Sequence, residues 1–121
     1  MAHPVVHFEI PANDVEKIKR FYADLFGWTI ESTSFPEFWM VTTITDGQGI
    51  NGAIVKRQVP QQTPMNYVNV ESVADFSAKV SQLGGQVVVA KTAVPKMGHF
   101  AVCLDPEGSP IGLWEMDPNA A

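Results

Sequence analysis

One succession of elements is written twice along the chain, and this repeat restricts the available folds more than any single motif does. A strand-like run, "VVHFEI" from Val5, leads into a helical pattern, and "NYVNV" from Asn66 leads into another. In the first helix Asn13 can act as the cap, with Glu16 three residues later completing a capping box. Val15, Ile18, Phe21, Tyr22 and Leu25 then recur at helical spacing, and Gly27 stands where a left-handed cap is wanted. The second helix has Ser72 as its cap, Asp75 three residues on, a stripe of Phe76, Val80 and Leu83, and then Gly84. Three further strand-like runs follow each helix: "TIEST", "FWMVTTIT" and "AIVKR", then "QVVVA", "HFAVCLD" and "IGLWEM". The order βαβββ therefore occurs twice.

The halves can be registered against one another. His7 and Tyr67, Gly52 and Gly112, and Val55 and Glu115 are each 60 residues apart, whereas Gly27 and Gly84 are 57 apart. The repeat lies in element order and punctuation, since direct identity between the halves is low. "VKRQVPQQTP", with two prolines and three glutamines, is the natural linker. The expectation is a single domain over 1–121, with module one at about 4–57 and module two at about 64–117. A βαβββ module covers one face of its sheet with its helix and leaves the other for a second module, a partner chain or a ligand. Two modules give an α+β fold, a curved mixed sheet or open barrel around a cup-shaped cavity.

Composition bounds the partners. A chain of 121 residues, 45% apolar and 17% charged, can build a core without staples. The net charge of −5 and scattered Lys and Arg leave no footprint for nucleic acid. The single cysteine, Cys103, excludes an intrachain disulfide and a Cys-based zinc site, and reads as a small apolar strand residue. No apolar run is long enough to span a membrane, and the first residues lack the pattern of a secretory leader, so a cytoplasmic location is expected. The final "DPNAA" reads as an unstructured end. "GQGING", Gly47–Gly52, sits between two strands with no helix after it and reads as a hairpin loop, not a phosphate loop. "DPEGSP", Asp105–Pro110, is a turn by composition.

"HFEIPANDVEKIKRFYADLFGW", followed far downstream by "GHFAVCLDPEGSPIGLWE", resembles the vicinal oxygen chelate superfamily. That superfamily contains glyoxalases, bleomycin-resistance-type proteins and extradiol dioxygenases. The resemblance covers essentially the whole chain, and its most specific parts are the "FY…LFGW" helix end and the "DPEG" turn before "GLWE". It implies metal ligands from the first and last strands of each module, which carried over fall on His7 and Val55, Tyr67 and Glu115. His7 and Glu115 match that pattern. Val55 has no donor atom, and Tyr67 offers a phenol in place of the expected ligand.

Two protein ligands are fewer than a catalytic metal centre normally has. Glu9, on the same strand parity as His7, is a candidate third, with Tyr67 and His99 as further candidates. Strand alternation puts Leu113 and Glu115 on one face and Trp114 on the other, against the helix. Tyr67 and Asn69 would share the face equivalent to that of His7 and Glu9. A cup lined by His7, Glu9, Tyr67, Asn69, Leu113 and Glu115 suits a small polar organic ligand.

Two readings follow. In one, His7 and Glu115 hold a divalent ion (Ni, Zn, Mn or Fe) and Glu115 is a catalytic proton carrier in a metal-assisted lyase or isomerase. In the other, the cup is metal-free, and the protein binds or sequesters a small molecule without catalysis. The resemblance also implies a homodimer.

Overall fold

The structure is a computed structural model and describes residues 2–121. It divides into two compact units, one of His7–Pro64 and one of Met65–Ala121 together with the residues up to Val6. Among the described residues two helices and eight strands, paired both parallel and antiparallel, make the expected α+β fold.

The N-terminal unit contains β1 (Val5–Ala12) from His7 onward, α1 (Val15–Phe26), β2 (Thr29–Ser32), β3 (Phe38–Thr42) and β4 (Gly52–Lys56). Its strands lie in the order β2-β3-β4-β1, with β1 and β4 parallel and the other neighbours antiparallel. The cap of α1 is Asp14, not Asn13: the Lys17 N–H donates to its carboxylate at 3.1 Å. The helix ends as expected at Gly27, whose φ of 75° is left-handed and whose N–H donates to the Ala23 carbonyl. Val15, Ala12, Val41 and Ile54 form the buried core, with Phe8, Ile10, Ile18 and Trp28 packed against it. Phe21 and Leu25 of the predicted stripe stand more than half exposed. Tyr22 instead stacks on Trp28, with ring centroids 5.2 Å apart.

The C-terminal unit contains β5 (Met65–Asn69), α2 (Val73–Gln82), β6 (Gln86–Val94), β7 (Gly98–Leu104) and β8 (Pro110–Met116). Its strands lie in the order β5-β8-β7-β6, with β5 and β8 parallel and the other pairs antiparallel. The expected cap is in place, since Ser72 accepts the Asp75 N–H at 3.0 Å. Val70, Val73, Ala101, Cys103 and Leu113 form the core, with Val68, Phe76 and Val80 against it. Burial pushes the Cys103 thiol pKa upward.

The linker starts after β4, at Arg57 and not at Val55, while the turns behave as their compositions suggest. The Arg57 guanidinium donates to the carbonyls of Gln62 and Pro11, which ties residues 57–64 to β1. Asp105 accepts the Glu107 and Ser109 N–H groups to close the "DPEGSP" turn. Gly52 allows close approach, because a Cβ there would strike the Phe8 carbonyl and ring. The expectation of a loose end at "DPNAA" is corrected. The Lys96 N–H donates to the Ala120 carbonyl at 2.9 Å, and Ala120 is buried.

Candidate functional site

Strand register decides which face each candidate occupies. In the N-terminal unit Ile10 pairs with Ile54, and both lie on the α1 side. Alternation then turns His7, Glu9 and Pro11 to the face away from the helix, along with Ala53 and Val55. There His7 Nε2 lies 3.7 Å from Glu9 Oε2, and its ring is nearly parallel to Phe38, with centroids 6.4 Å apart. Both side chains are about three-quarters or more buried. The imidazole, carboxylate and phenyl ring form a compact group that can accept a proton, donate one and stack.

In the C-terminal unit Val68 pairs with Leu113, and both belong to the core beneath α2. Tyr67, Asn69, Gly112 and Trp114 therefore take the face away from the helix, with Tyr67 packed so closely on Gly112 that a Cβ there would strike its ring. This reverses the expected alternation of β8. Leu113 is core, not a cavity wall, and Trp114 turns away from the helix. Glu115 shares the α2 side with Leu113, where its Oε1 accepts the Val73 N–H at 2.9 Å. Val73 opens α2, so the carboxylate meets an orphan N–H at the positive end of the helix dipole.

The 60-residue registration is corrected by the same pairings. Ile10 lies four residues before the cap Asp14, and Val68 four before the cap Ser72. Aligned on these helix-side positions, Glu9 is the counterpart of Tyr67, and Met65 that of His7. Because Ile54 then matches Leu113, Val55 matches Trp114 and Lys56 matches Glu115. Counting from glycines missed this because the caps fall 58 apart and the closing strands 59.

Within their own units His7 and Glu115 each have a neighbour of opposite type. His7 has Glu9, while Glu115 faces His99 and Asp117. On the helix-free face of the N-terminal unit β1 supplies His7 and Glu9 and β2 supplies Glu31, Val55 has no donor atom, and among the described residues no three such groups gather there. That face does not fit a three-ligand metal centre. His99, Glu115 and Asp117 are grouped closely enough to hold an ion, and the sequence pattern singles out only His99 and Glu115 of the three. Asp117 was hidden because it lies one residue beyond β8. Its spacing of two from Glu115 was the available signal.

Surface depressions of about 330 and 260 Å³ lie in the N-terminal unit, the first lined by Asn13 and residues 57–60 and the second by α1 and Ile30. Neither includes a predicted site residue. No helix among the described residues is long and apolar enough to cross a membrane.

Several known proteins share these features. A profile described as bleomycin resistance protein-like N-terminal matches residues 5–43, the stretch from β1 through β3. The anthracycline biosynthesis protein DnrV of Streptomyces peucetius is 25% identical over 123 residues, covering 88% of this chain and 45% of that protein. The putative glyoxylase CFP32 of Mycobacterium bovis is 27% identical over 116 residues, covering 88% of this chain and 43% of that protein. The chain thus spans less than half the length of these curated relatives. Among solved structures, methylmalonyl-CoA epimerase in complex with methylmalonyl-CoA and NH4+ superposes with a TM-score of 0.71 at 12% identity, over 100% of this chain and 99% of that one. A glyoxalase/bleomycin resistance protein/dioxygenase superfamily member from Vibrio splendidus gives 0.65 at 13% identity, over 94% and 99%. The twofold βαβββ order, the matched β1–β3 segment and these relatives together make the chain similar to members of the glyoxalase/bleomycin resistance/dioxygenase, or vicinal oxygen chelate, superfamily.

Proposed function

We propose that the protein binds a small, planar organic molecule on the helix-free face of its strands, without a metal ion at that face. The observation that carries this reading is the His7–Glu9–Phe38 group. A ring that stacks on His7 or Phe38 gains aromatic contact of about 0.5–1.5 kcal/mol beyond area burial. The imidazole and carboxylate beside it fix a hydroxyl or carbonyl by hydrogen bonds. Tyr67 and Asn69 of the C-terminal unit are proposed as further polar ligand contacts. The name of the Streptomyces relative, an anthracycline biosynthesis protein, supports a polycyclic aromatic ligand class.

The second reading is a metal-assisted lyase or isomerase, favoured by relatives described as a glyoxylase and an epimerase. It needs at least three ligands, and among the described residues no group of three His, Cys, Asp or Glu gathers at the His7 face. A homodimer belongs to the same proposal, supported by the exposed apolar side chains Phe21, Leu25 and Phe26 on α1. Sedimentation velocity tests it.

Titration calorimetry with a hydroxylated anthraquinone is the experiment for the ligand. Saturable binding, weakened at least about tenfold in His7→Ala, is expected, since a stacked and hydrogen-bonded contact is worth about 1.4 kcal/mol or more. In parallel, hemithioacetal turnover is assayed with and without Ni²⁺, Zn²⁺ or Mn²⁺. Metal-stimulated turnover that disappears in His7→Ala would replace the binding reading with the enzymatic one.

A further inference from the structure

We propose that His99, Glu115 and Asp117 form a binding site for a first-row divalent cation on the α2 side of the C-terminal unit. The backbone builds the group. His99 of β7 and Glu115 of β8 are direct cross-strand partners, and Asp117 follows two residues later on the same parity. Gly98 lets the two strands approach here, because a Cβ at that position would strike the Glu115 carbonyl and the Trp114 ring.

Each carboxylate is anchored by one oxygen and presents the other. Glu115 Oε1 accepts the Val73 N–H at 2.9 Å, leaving Oε2 toward His99 Nδ1 at 3.5 Å. Asp117 Oδ1 accepts the Asn119 N–H at 2.9 Å, leaving Oδ2 at 3.9 Å from the same nitrogen. Such backbone anchoring of the second oxygen is what orients carboxylate ligands around metals. One ligand atom from each residue lies within 4.8 Å of the other two. Bonds of about 2.0–2.2 Å in tetrahedral geometry set ligand atoms roughly 3.3–3.6 Å apart, close to the separations from His99.

The imidazole supplies an independent sign. His99 Nδ1 is buried and makes no hydrogen bond, although two carboxylate oxygens face it. An N–H there reaches them only at distances beyond the usual range of about 2.7–3.2 Å. A bare lone pair there would confront two anions. A cation between the three groups satisfies all of them at once. One imidazole nitrogen with two carboxylates suits Zn²⁺ or Mn²⁺ and leaves a coordination position for water.

The test is calorimetric titration of untagged, EDTA-stripped chain with Zn²⁺ and with Mn²⁺, paired with thermal unfolding. One equivalent of at least one ion is expected per chain, with a rise in the unfolding midpoint as the ion stabilises the folded state. His99→Asn and Asp117→Asn should each weaken that binding at least about tenfold, the lower bound for disturbing a metal's surroundings. His7→Ala should leave it unchanged. Glu115→Gln also alters the start of α2, so the two other variants carry the test, with circular dichroism in EDTA confirming their fold. Absence of stoichiometric binding overturns the proposal, and so does binding that survives in folded His99→Asn or disappears in His7→Ala. Because the readout is metal binding alone, failure here leaves the small-molecule proposal standing.

Discussion

In the N-terminal unit the ionisable pair His7 and Glu9 lies on the face away from α1, beside an aromatic ring. In the C-terminal unit His99 and Glu115 lie on the same side as α2, and Glu115 touches the first N–H of that helix. The units repeat one backbone plan, yet they place their reactive groups on opposite faces of it. The difference follows from register and not from element order. A carboxylate at β8 position 115 reaches the helix dipole, whereas the matching position in β4 holds Lys56, whose ammonium donates to the Asn13 carbonyl. The same scaffold therefore carries an imidazole–carboxylate–phenyl group on the helix-free face of one unit and an anchored carboxylate cluster beside the helix of the other.

The comparison can be broken most forcefully in the two cores. Ile54→Ala and Leu113→Ala occupy matching helix-side positions, one in each unit. Each should cost about 2–5 kcal/mol in urea unfolding, as buried large-to-alanine changes do. A loss below 1 kcal/mol at Leu113 would contradict its place in the core and restore the cavity-wall reading. The caps come next. Asp14→Ala and Ser72→Ala each remove one side-chain acceptor at a helix start and should cost about 0.5–2 kcal/mol. Asn13→Ala should cost less than Asp14→Ala, which sharpens the correction of the first cap.

Cys103 distinguishes the C-terminal core by chemistry. Its thiol is buried and its pKa raised by desolvation, so Ellman's reagent should react slowly until the protein unfolds. The raised value means that the folded state holds the proton more tightly than the unfolded one. This contribution to stability is constant at lower pH and falls as pH rises above the ordinary thiol value of about 8.5. The smallest effect belongs to His3, whose Nε2 lies 2.8 Å from the Glu71 carboxylate and whose ring meets Phe76 edge-on. His3→Ala should cost no more than about 1 kcal/mol, because the pair is substantially exposed.

Much of this architecture is legible in the amino-acid sequence. Helical spacing, Ser72 and Gly27 located both helices, and runs rich in β-branched and aromatic residues located all eight strands. Adjacent candidates were separated less well. Asn13 and Asp14 are both good caps, and only the backbone geometry selects Asp14. Leu113, Trp114 and Glu115 were harder, because "GLWE" contains two large apolar residues in succession and either could have been core. Parity then depends on which one pairs with Val68, a long-range fact that no local pattern records. Asp117 escaped notice because its side chain gains its role from a turn with Asn119, in a segment whose composition suggested no order.

The alternation along β8 has a further consequence for how such proteins diversify. Because the side-chain period is two, a one-residue insertion or deletion in the Asp105–Pro110 turn that shifted the pairing of β8 would exchange its faces. Trp114 would then enter the layer beneath α2, and the Glu115 carboxylate would emerge beside Tyr67 and Asn69. A single indel in a surface turn would thus transfer an acid from a helix terminus to the helix-free face of the sheet. Lineages built on this plan have a short genetic route between unlike chemistries, and the strand order need not change along it.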